Sequence, residues 1–263
     1  MDRRSAAKGV TDPAPGRADR SPRQPSPVAD GRGGSPFAPP DKAISVIVVE
    51  RPAPGIVFER AIDSVGHRAH LTPLFSFENV STPRNNLLGK EGNGLALTAA
   101  SFTGTAALVG ILGVALMRAA FGFALHFARI ERRGGIHPII EHQAVGYALA
   151  DAKIAIEAVR YLSWRACHAV DTQSPAADEL AIQAKIYGSE TAVRVITDLM
   201  RVVGIDSYDH EAPLGRFLQD ALALPIFDGG NMGIRRRQLH NLLKRPDYDA
   251  LLASDAFESI DGR

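Results

Sequence analysis

One cysteine in 263 residues, Cys167, excludes an internal disulfide and a cysteine-based zinc cluster. A disulfide-stapled secreted scaffold is therefore ruled out, and a reducing, cytoplasmic setting is expected. Charge of one sign is scarce too. Thirty Lys+Arg face 29 Asp+Glu, a formal net charge of +1, which gives no polyelectrolyte case for nucleic acid or a membrane surface. No G-x-G-x-x-G follows a strand, no Walker loop occurs, and no G-x-S-x-G elbow is present. The 8 histidines form no H-E-x-x-H or other ligand spacing, so no metal site is expected. No internal repeat is found. What the chain does have is apolar content: 45% of its residues are hydrophobic, enough for a sizeable core in one or two domains.

The breakers are concentrated at one end. Residues 1–40 hold 8 of the 17 prolines and 5 glycines, with 7 basic against 4 acidic residues. Such a segment cannot bury enough apolar surface to offset chain entropy and reads as a disordered Pro/Arg-rich tail. It lacks the apolar centre of a secretory signal, and its four aspartates argue against a transit peptide.

Beyond it the pattern turns to strands. The β-branched run Ile44–Val49 and the alternating run Leu74–Val80 flank the breaker segment Arg51-Pro52-Ala53-Pro54-Gly55. Two or three strands are all that fit before residue 90, too few to close a barrel or sandwich. From Leu95 the period becomes helical. Val145, Leu149, Ala152, Ile156 and Val159 step by 4, 3, 4 and 3, one stripe of a helix expected from Pro138 to about His168. The next helix is expected to begin at Ser174-Pro175, with Asp178 and Glu179 near its positive end. Its stripe would be Ile182, Ile186, Val193, Ile196 and Met200, and Gly204 would end it. Shorter helices are expected around Leu214–Leu224 and Asn231–Leu243.

Leu95–Met117 contains 23 residues without a charge, long enough to span a bilayer. Thr98, Ser101, Thr103 and Thr105 recur on it, with Gly104, Gly110 and Gly113, and it runs without a loop into Arg118, His126 and Arg129. A buried central helix is the favoured reading, with a membrane span as the alternative. A helix apolar on every side needs neighbours on every side, which suggests subunit contacts as well as an internal bundle.

Two clusters could carry chemistry. In Pro225–Gln238 an acidic residue, Asp228, follows Ile226-Phe227 and precedes Gly229-Gly230 and a helix start. A carboxylate with those flanks is expected to be partly desolvated and more basic for it, beside backbone N–H groups that favour an anion. Arg235 lies seven residues on, two helical turns later and on nearly the same face, from where it could hold the carboxylate ionised. A plain helix cap with a solvated basic turn is the competing reading of the same residues. The second cluster, Arg132-Arg133-Gly134-Gly135-Ile136-His137-Pro138 and then Glu141-His142-Gln143, joins two helices by a basic glycine turn. It suits a pyrophosphate, or is simply a solvated connection.

Asn86–Gly94, Gln143–Asp151, Ala184-Lys185 and Phe227-Asp228-Gly229-Gly230 occur in the order found in acyl-CoA dehydrogenases, and the chain resembles the C-terminal part of that superfamily. Arg133-Gly134-Gly135, Ile139–Gln143, Lys185-Ile186-Tyr187 and Phe227–Gln238 are most similar to the nitroalkane oxidase branch; other branches usually carry Glu-Gly-Thr at the turn. The resemblance covers roughly 42–249. It leaves out the family's N-terminal helical domain and most of its middle β domain, which contribute to the flavin and substrate pockets.

The implied fold is mainly α, a four-helix bundle of the acyl-CoA dehydrogenase type. It would comprise a middle-domain remnant at 41–90, the bundle at 91–250 and a C-terminal tail at 251–263. The implied activity is that of an FAD-dependent oxidoreductase in which Asp228 removes the proton beside a nitro group and electrons pass to flavin. The products would be a carbonyl compound, nitrite and hydrogen peroxide. Arg235 would be the paired cation and Thr105, a serine in the family, the hydroxyl near the flavin. FAD contacts would map to Arg133, His142 and Gln143, to Arg201, Val202, Val203, Gly204 and Ile205, and to Ile226, Phe227, Asp228, Gly229 and Gly230. An acyl-CoA substrate and a non-catalytic helical oligomerisation module are the alternatives. The resemblance also implies a homo-oligomer, a tetramer, acting on a small molecule; neither nucleic acid nor a membrane is expected as a partner.

Overall fold

The long apolar segment sets the architecture. In the computed structural model, which describes residues 42–255, it forms the first and longest helix, α1, Gly94–Ile130. The expectations for residues 1–40 and for 256–263 fall outside the described residues. α2 (Gln143–Asp171), α3 (Ala177–Val203) and α4 (Leu214–Ala223) pack with α1 into a bundle; α5 (Arg236–Leu243) and the short α6 (Leu252–Asp255) follow. α6 lies inside the stretch expected as a tail, and its Ala253 is buried.

The bundle closes around Val109, Val114 and Met117 of α1, Leu149, Ile156 and Val159 of α2, Ile196, Leu199 and Val203 of α3, and Leu214 and Leu224 from α4 and its end. Each such side chain contributes roughly 1.5–3 kcal/mol on leaving water. The glycines of α1 mark where the helices touch. A Cβ added at Gly110 would stand 2.3 Å from Ser163 Oγ on α2 and 3.0 Å from the Ala184 carbonyl on α3. One added at Gly188 would stand 2.9 Å from Gly110 Cα. α1 is long and apolar enough to cross a membrane, yet its buried positions from Ala106 to Ala128 recur every three or four residues and face the other helices, as in the central helix of a bundle.

Helix ends follow local chemistry. Asp178 and Glu179 sit in the first turn of α3, and Gly204, at φ 73°, ends it where a side chain would be strained. α2 begins later than Pro138 suggests. Pro138 precedes a single 3₁₀ turn, Ile139–Glu141, and His142 is extended, so the helix starts at Gln143.

The strands differ more. Instead of two or three, four short strands among the described residues form two antiparallel pairs: β1 (Val46–Ile47) with β4 (Leu87–Leu88), and β2 (Ile56–Ile62) with β3 (Thr72–Phe77). β2 carries no strand signature because Glu59 and Arg60 break its pattern; nearly all of it is exposed, so no face selects apolar residues. β3 stops at Phe77 rather than Val80 because Asn79 takes φ 50°. The loop between β2 and β3 reaches the bundle, where the His67 N–H donates to Asp220 Oδ1 on α4.

Candidate functional site

Pro225 follows α4, and the chain reverses through two consecutive left-handed residues, Asp228 (φ 52°) and Gly229 (φ 72°). Aspartate is among the few residues with a Cβ that tolerate this conformation. The loop is closed by Asn231 N–H donating to the Pro225 carbonyl at 2.9 Å. A single π turn, Asn231–Arg235, then leads into α5. No helix covers 228–230, so the expected two-turn face does not exist. Arg235 reaches Asp228 because the left-handed turn folds the chain back toward it.

The side chain of Arg235 is buried. Its Nε and one terminal nitrogen donate to the Asp228 carbonyl at 3.1 and 2.8 Å, and that terminal nitrogen also reaches Asp228 Oδ2 at 3.2 Å and the Phe102 carbonyl of α1 at 3.0 Å. The other terminal nitrogen donates to Gln238 Oε1. Thr105 Oγ1, from α1, donates to Asp228 Oδ1 at 2.9 Å. Asp228, Arg235 and Thr105 are thus brought together, each carboxylate oxygen holding one donor and keeping a lone pair. The carboxylate is only 10% exposed, but Ile226 and Phe227 are not what covers it. Both are exposed, Ile226 at 75%, and the cover comes from α1 and the arginine instead.

Sequence reasoning gave no role to a third layer beneath this turn. Lys185 of α3 is fully buried, and its ammonium donates to the Leu224 carbonyl at 2.8 Å and to Asn231 Oδ1 at 2.9 Å. Burial first, and the Arg235 charge second, push its pKa down to about 8, against the pull of Asp228 and Glu190. The Asn231 amide donates in turn to Ser189 Oγ and Glu190 Oε1. Glu190 accepts a two-pronged pair from Arg236 at 2.7 and 2.8 Å, which, with desolvation opposing, holds its carboxyl below the ordinary range. A signal existed: Ile182, Lys185, Ser189, Ala192, Ile196, Leu199 and Val203 are all buried at helical spacing, and a lysine on that stripe stands out.

The remaining expected cofactor residues lie elsewhere. Arg133 (φ 48°) donates to the Val203 carbonyl, pairs with Asp206 at 3.0 Å and lies 5.4 Å from the Phe127 ring centroid, so Arg133, Val203 and Gly204 meet. Arg201 and Val202 line a groove of about 370 Å³ with Val145, Ala148 and Asp151 of α2. His142 and Gln143 stand exposed at the start of α2, Gln143 donating to the Tyr147 hydroxyl, and Ile205 is exposed. From Thr105 to the end of α1 at Ile130 is 25 residues, about 38 Å of helix. The two groups therefore occupy opposite ends of the bundle.

The nitroalkane oxidase of Podospora anserina is 44% identical over 194 residues, 73% of this chain and 45% of that protein. The mitochondrial short-chain specific acyl-CoA dehydrogenase of Bos taurus is 33% identical over 191 residues, 72% of this chain and 45% of that one. A nitroalkane oxidase crystallised with 1-nitrooctane as an active-site aspartate-to-asparagine variant superposes with TM-score 0.80 at 33% identity, over 85% of this chain and 54% of that one. In the same flavoprotein, mechanistic roles have been analysed for that aspartate and an arginine seven positions after it. The chain spans about half the length of the curated relatives it matches. The acyl-CoA dehydrogenase C-terminal domain family matches residues 92–243, more than half of the sequence, and the chain belongs to that family.

Proposed function

We propose that the chain is an FAD-dependent oxidoreductase that oxidises nitroalkanes, with Asp228 as the base. The observation that carries this is the Asp228 carboxylate, held by Thr105 on one oxygen and by the buried Arg235 on the other, at the same seven-residue spacing as the aspartate and arginine studied in the relative. A base must be ionised before the substrate arrives. Arg235 places a fixed positive charge beside that carboxylate, and a guanidinium, already fully protonated, does not compete for the abstracted proton. The proton passes from the carbon bearing the nitro group to a carboxylate lone pair. A nitroalkane suits the short side chain, since its α-proton is more acidic than one beside a thioester.

The surroundings fit a flat cofactor. A Cβ built at Gly104 would meet nothing within 4 Å, and the adjoining α1 surface at Leu108 and Leu112 is apolar and exposed. FAD, when bound, would accept the electron pair left on the substrate carbon. Thr105 would face its ring system, and Ile226–Gly230 would border it. Arg133, Arg201–Ile205, His142 and Gln143 are too far from Asp228 to touch the same dinucleotide in one chain. We assign them to the pyrophosphate and adenosine end of a cofactor held by a neighbouring copy, which makes a homo-oligomer part of the proposal.

The test is reconstitution of the chain with FAD and measurement of nitrite release from nitroethane, with butyryl-CoA oxidation as the rival activity. Asp228→Asn should abolish nitrite release while keeping bound flavin. Unchanged release by that variant would remove the base, and oxidation of butyryl-CoA alone would favour the acyl-CoA reading.

A further inference from the structure

The turn that carries Asp228 leaves α4 at Leu224 and enters the π turn at Asn231, and one buried side chain holds both points. Lys185 Nζ donates to the Leu224 carbonyl and to Asn231 Oδ1, and it lies 5.9 Å from the centroid of the Phe227 ring, between those two anchors in sequence. The Asn231 amide cannot flip away, because its nitrogen is engaged by Ser189 and Glu190. An ammonium buried with neutral acceptors as its direct partners is an expensive choice if the task is only to tie two segments together. A glutamine could donate the same two bonds without a charge.

We propose that Lys185 is a positioning residue for the Asp228 carboxylate: it pins both ends of the turn and places a second buried positive charge beside Arg235. The inference rests on the reading of Asp228 as the base. The charged groups facing the lysine are Glu190 on its own helix, Asp228 from the turn and Arg235 from the π turn, with Arg236 at the start of α5 neutralising Glu190. Asp228 is thus the carboxylate near Lys185 that has no exposed cation of its own. A neutral amine retains two N–H donors, enough for Leu224 and Asn231. Losing the lysine proton therefore removes the charge while leaving the turn in place.

That separation makes the role measurable apart from turnover. In the full chain, the ¹³Cγ signal of Asp228, assigned by its loss in Asp228→Asn, is followed from pH 6.5 to 10 while the Lys185 side-chain resonance titrates near pH 8. The Asp228 signal should show an inflection at the lysine's midpoint, and the Lys185→Gln variant should lack it while keeping its far-ultraviolet circular dichroism. A flat Asp228 signal through the lysine titration would overturn the proposal; so would an unchanged inflection in folded Lys185→Gln. If the variant does not fold, the wild-type titration alone decides. An inflection in a chain that releases no nitrite from nitroethane would sustain the role of Lys185 and sink the function proposed above. Nitrite release with a flat signal would do the reverse.

Discussion

Two arginine–aspartate pairs sit at opposite ends of α1, and they are built differently. Arg235 and Asp228 are 1% and 10% exposed, and each is held by further partners. Arg133 and Asp206 are 41% and 52% exposed, and the arginine leans on a helix end and an aromatic face. A buried pair costs desolvation and is kept in place by its surroundings, whereas an exposed pair is weak and can exchange its partner. Under the proposed function, one end would fix the charge of the base, and the other would leave a cation to trade Asp206 for an arriving phosphate.

The sharpest way to break that contrast is to remove the buried cation. Arg235→Leu leaves the Asp228 carboxylate enclosed without compensation and should cost about 3–5 kcal/mol, read as a fall in the urea midpoint. A loss no larger than that at the exposed pair would show that Asp228 is better hydrated than its 10% exposure implies.

Lys185 sharpens the same end. Its pKa in the folded chain is about 8, below the ordinary value of 10.5, so between those two values the unfolded chain binds more protons. Its contribution to stability therefore rises with pH from about 8 to 10.5, by on the order of 3 kcal/mol. Urea midpoints across that window in the wild type and in Lys185→Gln should diverge; parallel curves would mean the lysine is not desolvated.

Much of this molecule was legible before its structure. Proline and glycine punctuation located α3 almost to the residue, because Ser174-Pro175 and Gly204 act locally. The bundle was legible because its stripes are apolar. The site was half legible. Asp228, Arg235 and Thr105 were named together by resemblance, but the helical-face argument for the arginine was wrong, since two residues at positive φ preceding a π turn leave no periodic trace. The desolvation argument also pointed at the wrong neighbours. What surrounds the carboxylate comes from α1, more than a hundred residues earlier, a tertiary fact that local flanks cannot report. Lys185, named only within two motifs, interrupts an otherwise uncharged stripe, and β2 has no buried face to leave a pattern.

Thr105 ranks next in expected effect. Thr105→Val keeps the shape of the side chain and removes one donor to a charged acceptor, which should cost about 1–2 kcal/mol or less in stability. Under the proposed function the same change should slow nitrite release more than it weakens nitroethane binding. An equal effect on both would place the hydroxyl in substrate binding instead.

The smallest effect belongs to the exposed end. Arg133→Ala removes a half-exposed ion pair and an arginine stacked 5.4 Å from the Phe127 centroid, together with a donor to the Val203 carbonyl at the close of α3. The ion pair contributes at most about 1 kcal/mol and fades with salt, because charges this exposed are screened within roughly 10 Å at 0.1 M. The stability gap between wild type and variant should therefore narrow between 50 mM and 1 M sodium chloride without closing, as the packing on the Phe127 ring and the carbonyl contact are less sensitive to salt. A gap that matched Arg235→Leu and ignored salt would make Arg133 a structural clamp. The two ends of α1 would then be alike in kind, and Arg133 would not be free for a ligand.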